Sequence, residues 1–133
     1  MKTVNIFSSI ATIMVLLFTT YNSQAQNKPA AAASTVEVIQ FHSENRCMTC
    51  NKIETLTRET LKAYSNISFS LVNVDDKKNE KKADQFEAAG TALFLYNSKT
   101  GKKKDLTDFS FMNAGNEDKF IAGLKKEINA FVK

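Results

Sequence analysis

A short β-rich run, Val36-Glu37-Val38-Ile39-Gln40-Phe41, is followed almost at once by a helical period that opens on Cys47-Met48-Thr49-Cys50. Branched and aromatic side chains over so few residues suit a strand. In the next stretch Ile53, Leu56, Ala63 and Tyr64 fall near one helical face, with Leu61 alongside and Glu54, Arg58, Glu59 and Lys62 largely opposite. Ile67 to Val74 is strand-like again, alternating at first and then more fully apolar, and Asp75-Asp76 stops it. A parallel pair of strands joined by a helix needs a right-handed crossover. That requirement narrows the chain to the α/β class.

The remaining elements complete a small sheet. Lys78 to Ala89 reads as a weakly amphipathic helix carrying Phe86, with Gly90 placed to end it at C′. Thr91-Ala92-Leu93-Phe94-Leu95-Tyr96 is an apolar run too short for a helix, hence a buried strand. Turn residues follow from Asn97 to Gly101, and Lys104 to Phe109 is expected to return as an edge strand guarded by its lysines. Asn116 can cap a last helix whose first turn holds Glu117 and Asp118, and whose buried stripe is Phe120, Leu124, Ile128 and Phe131. The order is β-α-β-α-β-β-α, predicting a three-layer α/β sandwich on a mixed four-stranded sheet.

Residues 1–25 read as an address rather than part of this fold. Met1-Lys2 is positive, Ile6 to Phe18 is apolar apart from Ser and Thr, and Ser23-Gln24-Ala25 has small residues where a signal peptidase reads. The apolar run is shorter than the roughly 20 residues a spanning helix needs, so cleavage after Ala25 is expected rather than an anchor, with no stable membrane insertion afterwards. Residues 26–35, with Pro29 and an alanine run, are expected to form a flexible tether, and 36–133 the domain. Export would place the domain in a periplasm or outside the cell, where disulfides persist.

The formal charge of +4, lowered by one if Lys2 is removed, is spread among interleaved acids and gives no reason to expect nucleic-acid binding. Two cysteines are too few for a disulfide-dense scaffold or an all-cysteine zinc site. Nothing suggests more than a monomer.

The chemistry therefore concentrates in Cys47 and Cys50. A free cysteine titrates at about 8.5 and reacts as the thiolate. Unpaired N–H groups and the dipole at a helix N-terminus stabilise that anion, and Arg46 would add positive charge. Cys50, three residues on, lies on the same side of the first turn. The pair is expected to exchange electrons as a dithiol, Cys47 attacking a substrate disulfide and Cys50 resolving the mixed disulfide. The redox-active disulfide itself then carries the electrons, with no other cofactor.

Three other uses of the thiols stand beside this one. A structural disulfide would close a loop of only four residues, worth about 2 kcal/mol of chain entropy. Capture of a soft metal ion or an arsenical by Cys47, Cys50 and His42 is chemically apt, although a fourth ligand is missing. Idle buried thiols fit poorly with an oxidising compartment. His42, the only histidine, could tune the thiolate or relay a proton, but a lone histidine at a strand end more often packs.

The element order and the placement of Cys47-Met48-Thr49-Cys50 resemble the thioredoxin superfamily. Val38-Ile39-Gln40-Phe41-His42, Arg46 to Cys50, Ile53-Glu54 and Asp105-Leu106-Thr107 are more narrowly similar to an exported thioredoxin-like family, the nitrophenyl compound nitroreductase subunit ArsF. The resemblance implies a thioredoxin-like fold, Cys47 as nucleophile, Cys50 as resolving thiol, and a protein disulfide or a membrane electron-transfer or permease protein as partner. It also marks departures. Arg46 stands where thioredoxin has tryptophan, and Met48-Thr49 replaces Gly-Pro. Gln40 or Phe41 falls near its buried carboxylate. Thr91, after Gly90, falls at its cis-proline, and the missing ring strengthens the capture reading. Arg46, His42, Met48, Thr49, Gly90 and Thr91 are the candidates for substrate binding or tuning. Nitro reduction ordinarily uses a flavin or similar carrier. With no GxGxxG turn or other cofactor fingerprint, such a chain would at most pass electrons as a dithiol subunit.

Overall fold

A computed structural model describes residues 34–133. The expected signal segment and most of the tether lie outside the described residues. Strands β1 (Val36–His42), β2 (Ser68–Asn73), β3 (Ala92–Asn97) and β4 (Lys103–Asp105) form one sheet in the order β2-β1-β3-β4. β1 pairs in parallel with β2 and antiparallel with β3, and β3 pairs antiparallel with β4. The helices are α1 (Met48–Leu61), α2 (Glu80–Phe86), α3 (Thr107–Asn113) and α4 (Glu117–Phe131), with a 3₁₀ turn at Lys77–Asn79 before α2.

Strand alternation divides the core in two. Val36 and Val38 of β1 and Leu93 and Leu95 of β3 face α1 and α4, meeting Ile53, Leu56, Phe120, Leu124, Ile128 and Phe131. Ile39, Phe41 and Phe94 point the other way, toward Ala83 and Phe86 of α2. Phe41, Phe86 and Phe94 close that second core with ring centroids 5.1–5.9 Å apart. This is the three-layer, thioredoxin-like α/β fold on a mixed four-stranded sheet. Ser34 and Thr35 are already tied to it, through Ser34 N–H to the Asn66 carbonyl (2.9 Å) and Ser98 N–H to the Thr35 carbonyl (2.8 Å).

Several local expectations need correction. The segment Lys104 to Phe109 is not a strand throughout. The ladder ends at Asp105, whose Oδ1 accepts from Thr107 N–H at 2.8 Å and turns the chain into α3. The element order thus gains a helix. The second helix ends at Phe86, and the residue that reverses the chain is Glu87, at φ 54°, rather than Gly90. The first helix stops at Leu61, so Ala63 is exposed, while Thr57 and Thr60 are buried in its place. β2 is an edge strand of which only Val72 is fully buried.

Other expectations match. Asn116 accepts from Lys119 N–H at 3.0 Å as the cap of α4, and all four residues of that helix's apolar stripe are buried. Among the described residues no helix is long and apolar enough to cross a membrane.

Candidate active site

The site forms where three elements converge. β1 rises to His42, and the loop after it is pinned by Glu44 N–H on Asp75 Oδ2 (2.7 Å) and by Val74 N–H on the His42 carbonyl (2.9 Å). The chain then enters α1 with Cys47 as its N-cap. Its extended backbone (φ −76°, ψ 160°) lets the carbonyl take the first helical bond, from Asn51 N–H at 3.1 Å. A capping residue normally offers a side-chain oxygen to an orphan N–H. Here Cys47 Sγ does this work, accepting from Cys50 N–H at 3.0 Å. Because β3 runs antiparallel to β1, Ala92 pairs with Phe41, and Thr91 is delivered to the same end.

Cys47 and Cys50 are joined as a disulfide across a Cα separation of 5.1 Å. They are unequal partners: Cys47 is exposed, whereas Cys50 is buried at 5%. That asymmetry suits an attacking sulfur that meets a substrate and a second sulfur held behind it. Cys50 is gripped from two other elements. Gln40 of β1, fully buried, donates from Nε2 to its carbonyl at 3.0 Å, and Thr91 donates from Oγ1 to its Sγ at 3.2 Å.

The remaining candidates are placed as follows. Met48 is 89% exposed and Thr49 is exposed, flanking Cys47 on the solvent side. Both line an open groove of about 570 Å³ that continues to Lys52, Phe111 and Ala114. Arg46 turns toward α1, with Nη1 2.6 Å from Glu54 Oε2, while Arg58 Nε holds Glu54 Oε1 at 2.8 Å. Burial pushes the Glu54 carboxyl up, but hydrogen bonds from Arg58 and Arg46, with their charges, outweigh it and hold it below its ordinary value. Arg46 is therefore charge-balanced by a carboxylate. His42 gives Nδ1–H to the Ser43 carbonyl at 2.8 Å, a partner that orients its ring. Gly90 lies across from Ser43, whose Oγ would be 3.8 Å from an added Cβ.

The structure thus brings Cys47, Cys50 and Thr91 together, while the hydrogen bond of His42 goes to Ser43. Among the described residues no group of three or more His, Cys, Asp or Glu side chains could hold a metal ion. The sequence reading missed the Gln40 and Glu54 contacts. Glu54 and Arg58 carried an i,i+4 signal, but Arg46 joins them only through the path of the preceding loop.

No family model matches the chain, and no curated protein matches it. Among solved structures it is similar to a malarial protein, 25% identical with a TM-score of 0.43, over 60% of this chain and 96% of that one. It is also similar to thioredoxin f2 of Chlamydomonas reinhardtii, 20% identical with a TM-score of 0.46, over 66% of this chain and 85% of that one. The fold stands on the strand order and registers described above.

Proposed function

We propose that this chain is an exported thiol–disulfide oxidoreductase working through the Cys47–Cys50 couple. The observation that carries the reading is the pairing of an exposed sulfur at a helix N-terminus with a buried one. In the reducing direction, Cys47 thiolate attacks a substrate disulfide. One substrate sulfur leaves as thiolate, and a Cys47–substrate disulfide forms. Cys50 then attacks Cys47 Sγ, the second substrate sulfur leaves, and the Cys47–Cys50 disulfide remains. Two electrons pass to the substrate, and the oxidised couple awaits a reductant. The Cys50 N–H that reaches Cys47 Sγ would stabilise the attacking anion, together with the helix dipole. No carrier beyond the disulfide is needed.

The finer reading is that of an ArsF-type dithiol subunit, monomeric and exchanging electrons with a protein disulfide or a membrane electron-transfer or permease partner outside the cytoplasm. The soft-metal and arsenical alternative is not favoured by the geometry, since among the described residues no group of three or more His, Cys, Asp or Glu side chains could hold a metal ion.

The test is to reduce insulin with the dithiol form and to trap the intermediate. A mixed disulfide should accumulate with Cys50→Ser and be absent with Cys47→Ser. Accumulation only with Cys47→Ser would reverse the roles, and no turnover by the reduced wild type would remove the activity.

A further inference from the structure

Cys50 presents a proton problem. Its sulfur is buried, and it must lose a proton before it can attack. Burial disfavours the thiolate, so the groups that touch it decide how readily the anion forms. From β1 the contact is Gln40, uncharged and committed through Nε2 to the Cys50 carbonyl; its Oε1 is buried without a partner. From α1 it is Cys47 itself. The Arg46 guanidinium is occupied by Glu54, and the His42 Nδ1–H by the Ser43 carbonyl. No carboxylate reaches the sulfur among the described hydrogen bonds. What does reach it is the Thr91 hydroxyl, at 3.2 Å.

Thr91 also faces outward. It is half-buried and lines an open groove of about 570 Å³ with Gly90, Thr107, Asp108 and Glu87. The residue whose hydroxyl touches the enclosed sulfur thus also borders a groove open to solvent. Serine and threonine hydroxyls both donate and accept, so one can take a proton on one side while releasing its own on the other.

Resting on the oxidoreductase reading, we propose that Thr91 is a catalytic residue of the resolving step, stabilising Cys50 as thiolate and conducting its proton to the groove. The Cys50 S–H bond breaks as its proton passes to Thr91 Oγ1, and the proton already on Oγ1 goes to water. Cys50 Sγ then bonds to Cys47 Sγ while the Cys47–substrate S–S bond breaks. Cys50 is oxidised, the departing substrate sulfur is reduced, and it takes a proton from solvent. In the product the Thr91 hydroxyl again donates to Cys50 Sγ.

The experiment follows ultraviolet thiolate absorbance of Cys50 against pH in a Cys47→Ala background, which needs no substrate. Thr91→Val should raise the midpoint by about one unit, the scale of one charge-assisted hydrogen bond. Thr91→Ala, lacking the hydroxyl without added bulk, should do the same, and Thr91→Ser should restore the parent value. With both cysteines present, Thr91→Val should slow resolution of a preformed mixed disulfide by about tenfold at neutral pH. An unchanged midpoint in both Val and Ala variants, or a Ser variant shifted as far as they are, overturns the proposal. Failure of wild type to reduce insulin would instead remove the activity, leaving the absorbance result readable on its own.

Discussion

Gln40 Nε2 donates to the Cys50 carbonyl at 3.0 Å, while Gln40 Oε1 is buried with no partner. One end of the amide thus ties the central strand to the first turn of α1, and the other end is a desolvated acceptor. The tie is worth about 1 kcal/mol and the orphan costs about as much. Gln40→Leu, which removes both and keeps volume, should change stability in denaturant by less than about 1 kcal/mol. Gln40→Ala leaves a cavity and should cost about 2–3 kcal/mol. Equal losses in the two variants would mean that the hydrogen bond, rather than packing, dominates at this position.

Glu54 links Arg46 at the site to Arg58 along α1, and both Glu54 and Arg46 are mostly buried. Its carboxyl is held below the ordinary value of 4.5 in the folded protein. The stability it contributes is therefore fully present above that value and is lost as pH falls through the lower, folded one. Arg46 Nε and Nη2 are already buried without partners, so losing the carboxylate would strand the guanidinium. Glu54→Gln should cost about 1–3 kcal/mol at neutral pH, between the surface and buried limits for ion pairs. It should also flatten the loss of stability measured by urea unfolding below pH 4.5. An acid limb as steep as that of wild type would show that other carboxylates govern it.

The parts of this fold legible in the sequence are those where side chains repeat with a period. Val36, Val38, Leu93 and Leu95 mark one sheet face, and Phe120, Leu124, Ile128 and Phe131 one helix face, because each set buries together. The strand-to-helix position of Cys47 follows from the same change of period. The helix α3 was hidden. It is seven residues long with Ser110 its only fully buried member, so no apolar stripe announces it, and its start depends on Asp105 turning back onto Thr107. Glu87 adopts a left-handed conformation that composition does not flag in a residue with a Cβ. The Thr91 contact could be anticipated as proximity, but its hydrogen bond to Cys50 depends on the register of β3 against β1.

Gly123 lets α3 and α4 approach closely. A Cβ there would lie 2.5 Å from Phe109 Cε2 and 2.8 Å from Cζ, and that ring is packed against Phe120 at 5.6 Å between centroids. Helix propensity favours alanine over glycine by about 1 kcal/mol, whereas overlap with a packed ring costs about 1–3 kcal/mol. Gly123→Ala should therefore be net destabilising in thermal unfolding. In a Phe109→Leu background the same change should become neutral or stabilising, since the obstructing ring is gone. A stabilising Gly123→Ala in the wild-type background would mean that Phe109 yields at no cost.

The loop closed by Cys47 and Cys50 has a sequence separation of only three. Constraining so short a segment removes little freedom from the unfolded chain, about 2 kcal/mol by the loop-entropy relation. The two hydrophobic cores, on opposite faces of the sheet, do not depend on it. Reduction should therefore leave the domain folded, lowering its unfolding free energy by no more than about 2 kcal/mol, with far-ultraviolet circular dichroism unchanged. That margin is what a reversible couple requires, because each turnover must pass through the dithiol without unfolding the scaffold that holds the sulfurs. Urea titrations with and without dithiothreitol read the difference directly. A reduced protein that loses its cooperative transition would make the bond a structural staple and undercut its use as an electron carrier.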